Sequence, residues 1–408
     1  MPAGFDDLAA TDWFVNNLIF KKVKNIKLNR IMFSIHSWLG LFNGLWLLIL
    51  GITGSLLVYT MELDKWINKD ILTVQPAAHR LPYDSLYKIV RGRYPNAMGA
   101  NIMGLPQEKT DCVSFRIYVE DGRKPMARWD EMFFIDLNPY NGKILRQGSY
   151  NDIHSSFLFW SGQVHWNLTE GPIGTLIITI AGILLFINIL TGIIIYRKYF
   201  FKALIFKAPV KWQNWRTGTS GLHRYIGIWS LVLNILIFYS GLQMTWGSLD
   251  KSYYQKPAPI IPITQKIAVI DQMITSAQKI YPGFVIHYFY IPFSKTVING
   301  VDLSQASAMG YIPGTPSIVP LSESTVNFNI NTGAFESKVN ANEELKKKNL
   351  WDKFNYIAYS FHAGTFLGQF SRILYVIVGL SPAFLAISGF MLWLRRKKLL
   401  KNRPALER

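Results

Sequence analysis

The chain has 408 residues, 50% of them hydrophobic and 14% aromatic, and carries a net charge of +18. That is too apolar for an ordinary soluble protein. One cysteine, Cys112, excludes an internal disulfide, a zinc finger and a Cys-ligated iron–sulfur cluster made by this chain alone, and no P-loop or strand-linked G-x-G-x-x-G stands in the sequence.

In chain order, the pattern predicts a basic cytoplasmic segment (1–30), a first span (31–60), an external domain (61–170) and a second span (171–197). A basic loop (198–222), a third span (223–247), a second external domain (248–370), a fourth span (371–395) and a tail (396–408) follow. The apolar runs at 31–59, 173–196, 225–246 and 373–394 are each long enough to cross a bilayer, which takes roughly 20 residues. The first is too long for a removed signal peptide and lacks a small-residue cleavage site, so it reads as retained. Segments 1–30, 197–224 and 395–408 hold 19 of the 43 Lys and Arg against four acids. All three flank one side of a four-span topology, which positive-inside bias makes cytoplasmic, with both termini inside. The basic balance is thus accounted for by topology and anionic lipid, and no nucleic-acid partner is expected.

The halves repeat. His36 and Gly54 recur 187 positions later as His223 and Gly241, and DSLYKIVRGRYP (84–95) recurs at the same offset as DQMITSAQKIYP (271–282). NPYNG from Asn138 answers NINTG from Asn329. His165 and Gly192 recur 197 positions later as His362 and Gly389. Each half therefore reads as helix, α+β external domain, helix. Repeats of two spans re-enter with the same orientation and are related by a pseudo-two-fold axis along the membrane normal.

That axis pairs His36 with His223 near the cytoplasmic face and His165 with His362 near the outer face. Ionisable residues inside a membrane are costly and point to function. Two imidazoles facing one another across a bundle can hold one metal-centred cofactor. Haem iron accepts axial His, and two such ligands leave no open position, which suits electron transfer. Gly40 and Gly227, each four residues after a histidine, would leave room for a macrocycle against the helix. The alternative is structural: hydrated or capping histidines kept by duplication, and glycines kept for close helix packing. His154, eleven residues before His165, is an alternative outer ligand if its helix is continuous. His79 and His287 read as ordinary domain residues. The inner pair and the Thr/Ser-Gly steps are separated by roughly 27 Å of helix, so one haem could not serve both pairs. With no C-x-x-C-H motif, the expected cofactor is two non-covalent b-type haems.

HSWLGLFNGLWLLILGITG from His36, HWNLTEGPIG from His165, HRYIGIWS from His223, and HAGTFLG from His362 with ISGFMLWLRRK resemble the PepSY-associated transmembrane family, in particular bacterial inner-membrane siderophore-iron reductases. The resemblance runs from about residue 28 to 398. It implies a four-helix core with b-type haem and two periplasmic PepSY-like domains. In that reading electrons pass to ferric siderophore or another ferric chelate in the periplasm. The resemblance leaves the donor open between a cytoplasmic reductase and a quinol. A charged insertion, EDGRKPMARWDE from Glu120, and a Gly/Pro/Ser stretch near 304–324 depart from the pattern, so the particular chelate does not carry over. The expected localisation is the bacterial inner membrane. Two rivals remain: a non-enzymatic PepSY protein that binds or regulates a periplasmic partner, and an iron-chelate transporter.

Overall fold

A computed structural model describes residues 26–120, 130–254, 261–263, 267–295, 297–298, 301–302, 304–314 and 323–401. Most of the N-terminal basic segment, the charged insertion at 121–129, part of the Gly/Pro/Ser stretch and the end of the tail lie outside the described residues.

The principal helices are α1 (Ile26–Leu57), α2 (Tyr83–Arg93), α3 (Phe157–Asn167), α4 (Gly171–Tyr196), α5 (Trp215–Trp229), α6 (Leu231–Thr245), α7 (Ile270–Ile280), α8 (Leu350–Ala363), α9 (Gly368–Gly379) and α10 (Ser381–Lys401). Three stretches, Leu28–Leu57, Gly171–Tyr196 and Gly368–Lys397, are long and apolar enough to cross a membrane. The pair α5 and α6 makes a fourth candidate, bent by 61°. This is a membrane protein. α1 packs along α4 and α10, and α6 packs along α4 and α8.

The bend differs from the single straight span expected at 223–247. α5 carries Arg216, Thr217, Ser220, His223 and Arg224 and is amphipathic, whereas α6 is mostly apolar and carries no charged residue. At the junction Ser230 Oγ donates to Ile226 O (2.6 Å) and accepts from Asn234 Nδ2 (2.9 Å). Side-chain competition of this kind loosens the helical ladder and permits a kink. The break between α9 and α10 has a different cause. Pro382 has no N–H to give to Val378 O, and Ser381 Oγ takes that carbonyl instead at 2.6 Å. Asn234 Nδ2 also reaches Ser381 Oγ at 3.0 Å, tying the two breaks together.

Eight antiparallel strands form one sheet: β1 (Ala97–Met103), β2 (Val113–Glu120), β3 (Asp130–Leu137), β4 (Ile144–Ser149), β5 (Val285–Pro292), β6 (Ala306–Tyr311), β7 (Ser324–Phe328) and β8 (Phe335–Asn340). Their order is β8-β7-β6-β5-β1-β2-β3-β4. Four strands from each half therefore meet at β1 and β5, in the register Gly99↔Pro292 to Met103↔Tyr288. The two segments expected as separate domains share one sheet and one core. Strict alternation puts Val113, Phe115 and Ile117 of β2 on the face covered by α2 and α7, where Leu86, Val90, Ile270 and Met273 close over Phe289, Ile291 and Phe328.

The two covering helices hold each other's ends. Asp271 Oδ1 and Oδ2 accept the backbone N–H of Tyr83 and Asp84, each at 3.2 Å. Asp84 in turn accepts the N–H of Ile270 (3.1 Å) and Asp271 (3.5 Å). Orphan donors of each first turn are thus met by the other helix's carboxylate, at the positive end of its dipole. The two N-x-x-x-G turns form as the sequence predicts. Gly142 N and Gly333 N donate back to Asn138 O (2.9 Å) and Asn329 O (2.8 Å), with φ of 72° and 71° that favour glycine.

The opposite face of the sheet looks toward α3. Phe134, Tyr150 and Phe159 form a small aromatic cluster there. Beside it Arg146 bridges two buried carboxylates: Nη1 and Nη2 reach Asp64 at 2.9 and 2.6 Å, and Nε reaches Asp136 at 2.9 Å. Asp64 lies on the helix Thr60–Ile67 just beyond α1, so this fork pins the sheet to the end of the first span.

Candidate cofactor-binding histidine pairs

Each of the four histidines is held by the partner helix of its own half, through a hydroxyl-glycine step. His165 of α3 sets Nδ1 3.1 Å from Thr53 Oγ1 of α1. His362 of α8 sets Nδ1 3.3 Å from Ser240 Oγ and 2.9 Å from Ile237 O, both of α6. His36 of α1 sets Nδ1 3.3 Å from Thr191 Oγ1 and 3.0 Å from Asn188 O, both of α4. His223 of α5 sets Nδ1 2.7 Å from Ser388 Oγ of α10. All four hydroxyl residues are buried.

These contacts decide the tautomer. Each hydroxyl already gives its proton to a carbonyl of its own helix: Thr53 to Ile49 (2.7 Å), Ser240 to Leu236 (2.6 Å), Thr191 to Asn188 (2.8 Å) and Ser388 to Phe384 (2.7 Å). The oxygen can then only accept, so Nδ1 carries the hydrogen and Nε2 keeps its lone pair. None of the four Nε2 atoms has a hydrogen-bond partner among the described residues. An imidazole oriented through Nδ1–H, with Nε2 free, is the arrangement of a metal-ligating histidine and its supporting partner.

The glycine following each hydroxyl makes the seat. A Cβ on Gly54 would stand 2.8 Å from His165 Cε1, and one on Gly241 would stand 2.8 Å from His362 Cε1. The corresponding distances are 3.1 Å for Gly192 with His36 and 3.5 Å for Gly389 with His223. The glycines at His+4 do something else. Gly40 and Gly227 line a cavity, and a Cβ there would meet only Asn188 Nδ2 at 3.6 Å and Leu385 Cδ2 at 3.7 Å. The sequence showed the four hydroxyl-glycine steps as repeated spellings; which histidine each one touches is a property of the packing.

The structure brings the histidines together in two pairs. The rings of His165 and His362 have centres 6.0 Å apart, with planes inclined by 47°. Two imidazoles sharing one metal through bonds of about 2 Å place their ring centres about 6 Å apart. His36 and His223 line one apolar cavity with Gly40, Gly227, Gly192 and Gly389. His154 stays apart. It is exposed in a turn in which its N–H donates to Asp152 Oδ1 (3.0 Å), and α3 begins only at Phe157, capped by Ser156 Oγ. The continuous helix that would stack His154 on His165 does not form. His287 stacks on Tyr311 in the sheet, with ring centres 5.1 Å apart.

Among the described residues no group of three or more His, Cys, Asp or Glu converges as a metal site. Each pair supplies two ligands, so a metal held there must arrive with its remaining ligands. A flat chelating macrocycle does that, and Gly40, Gly192, Gly227 and Gly389 put no side chain on the walls of the inner cavity.

Residues 33–396 match the PepSY-associated TM region family. The chain belongs to this family. No curated protein matches it. In this PepSY-associated TM protein the matched stretch includes all four paired histidines and all four hydroxyl-glycine steps.

Proposed function

We propose that this protein is a di-haem transmembrane oxidoreductase, built from two parallel repeats around a four-helix bundle, that reduces ferric iron held by a siderophore or similar chelate in the periplasm of a bacterium. The observation that carries the reading is the fourfold repetition of one device: a buried hydroxyl fixes Nδ1, a glycine receives the ring, and Nε2 is left bare. A histidine retained for structure alone needs no free Nε2, and duplication copies a device without requiring that each copy face its mate across the bundle.

His36 and His223 would hold an inner b-type haem, and His165 and His362 an outer one, with Gly40 and Gly227 giving room at the inner site. When bound, such groups would supply one-electron carriage. The protein orients the imidazoles, keeps water out of the bundle and sets the spacing. The donor, a cytoplasmic reductase or a quinol, would act at the inner cavity, whose lining includes Arg224 and Arg396. The basic segments favour the cytoplasmic side of a bacterial inner membrane for this end, which would leave the sheet in the periplasm.

A chelate transporter would be favoured by breaks at matched positions in both halves. α1 and α4 run unbroken, and both breaks fall in the second half. A partner-binding role makes no use of the paired imidazoles. The test is an absorbance spectrum with haem extraction on protein purified from haem-replete cells. Two haems per chain and a low-spin spectrum are expected; a folded, colourless protein overturns the reading.

A further inference from the structure

Arg116 and Arg146 stand on the same face of the sheet and are treated differently. Arg146 pairs with Asp136 across β3 and β4, and two aspartates neutralise it. Arg116 lies opposite Phe134 on β3 and Asn101 on β1. No carboxylate reaches it within salt-bridge distance among the described residues. Its Nε donates to Tyr150 Oη at 3.1 Å, and the groups felt most strongly by its guanidinium are the hydroxyls of Tyr150, Tyr118 and Tyr288. A half-buried cation without a counter-ion is costly.

The surrounding hydroxyls are donors. Burial pushes the Tyr150 hydroxyl up from its ordinary value, although Arg116 draws it back. Burial also raises Tyr359, on α8, with Tyr288 raising it further and Arg116 opposing. These phenols keep their protons at neutral pH. Tyr118 Oη already accepts from Asn101 Nδ2 at 2.8 Å, so its own proton is free to be given elsewhere. Tyr359 retains 54% of its surface, so this side chain is not sealed between sheet and helices. This layer sits over the outer histidines. Phe159, which packs on Phe134, precedes His165 by six residues, and Tyr359 precedes His362 by three, or about 9 and 4.5 Å of helix.

We propose that Arg116, with the phenol O–H groups of Tyr118, Tyr288 and Tyr359, is an oxyanion-binding site that receives a carboxylate of the ferric chelate directly above His165 and His362. The site supplies one full positive charge and a set of neutral donors, which fits an anionic chelate such as a carboxylate complex better than a neutral one. It deepens the reading of the protein as a ferric-chelate reductase and rests on that reading for its substrate, though not for its test. A carboxylate of the outer cofactor offers the same chemistry, and the experiment separates the two sources.

The probe is gallium(III) citrate, which is redox-inert, titrated onto the purified full-length protein beside a neutral gallium tris-hydroxamate. Wild type should bind the citrate complex. Arg116→Gln should weaken that binding about tenfold or more, the usual loss for a hydrogen bond to a charge, while the neutral complex is unaffected. Arg116→Lys should restore part of it, and Tyr359→Phe should give a smaller loss of the same kind. If Arg116→Gln leaves citrate binding intact but lowers outer-haem content or shifts its potential, the anion is the cofactor's own carboxylate. If it changes neither, in protein whose thermal melt matches wild type, the site is refuted. Arg116-dependent citrate binding by a colourless protein would refute the haem reading and leave this inference standing.

Discussion

Ser388 Oγ stands 2.7 Å from Nδ1 of His223, and its proton is already committed to Phe384 O at 2.7 Å. Among the described residues His223 has no second acceptor for Nδ1, unlike His36, which also reaches Asn188 O. Ser388→Ala should therefore free the His223 ring to turn and exchange tautomers. Loss of such a supporting partner typically costs about 10–100-fold in metal affinity. Thr191→Val should cost less at the same site, because the Asn188 carbonyl still holds His36. Haem retention during dialysis against apomyoglobin measures both; equal retention in the two variants would contradict the role given to Ser388.

The glycine seats predict a ranked series. Alanine at Gly54 or Gly241 would put a methyl 2.8 Å from the Cε1 of the facing imidazole, at Gly192 3.1 Å and at Gly389 3.5 Å. Gly54→Ala and Gly241→Ala should displace the outer ligands and lose most of the outer haem. Gly192→Ala should perturb the inner haem moderately, and Gly389→Ala should be nearly silent. Reduced-minus-oxidised difference spectra of membranes rank the four. Strong loss in Gly389→Ala with none in Gly54→Ala would contradict the seating.

The reciprocal aspartates predict a pH dependence. Burial, and then the hydrogen bond with Asp84, raises the Asp271 pKa above its ordinary 3.8. A carboxyl whose folded pKa is raised contributes stability that is complete below 3.8 and is lost as pH rises through the folded value. Asp84→Asn removes the facing charge and keeps one acceptor oxygen, so the decline of stability with rising pH should flatten. Asp84→Ala removes the cap as well and should cost about 1 kcal/mol. Melting curves from pH 3.8 upward compare the three proteins; an unchanged slope in Asp84→Asn would show that the carboxylates do not interact.

Much of this was legible in the sequence, for identifiable reasons. The turns at Asn138–Gly142 and Asn329–Gly333, the helices opening at residues 84 and 271, and the pairing of four histidines follow from local chemistry and from offsets between the halves. The bend at Ser230 was not, because it depends on how Asn234 and Ser381 meet across two helices. Nor was the single sheet: β1 and β5 each alternate as any half-buried strand does, and nothing local says that they pair across 187 residues of offset. Arg116 and Arg146 likewise spell the same in sequence. What separates them is a pair of aspartates that reach one guanidinium and not the other: Asp136, across the strand, and Asp64, 82 positions from Arg146.

Haem stoichiometry across the histidine variants tests the central claim most directly. His36→Ala and His223→Ala should each remove one haem, and the double variant should remove no more than either alone, since residues that share one partner are not additive. His165→Ala and His362→Ala should behave in the same way toward the other haem, while one substitution from each pair should leave none. Retention of both haems in His165→Ala, or loss of the same haem in His36→Ala and His165→Ala, would contradict the account.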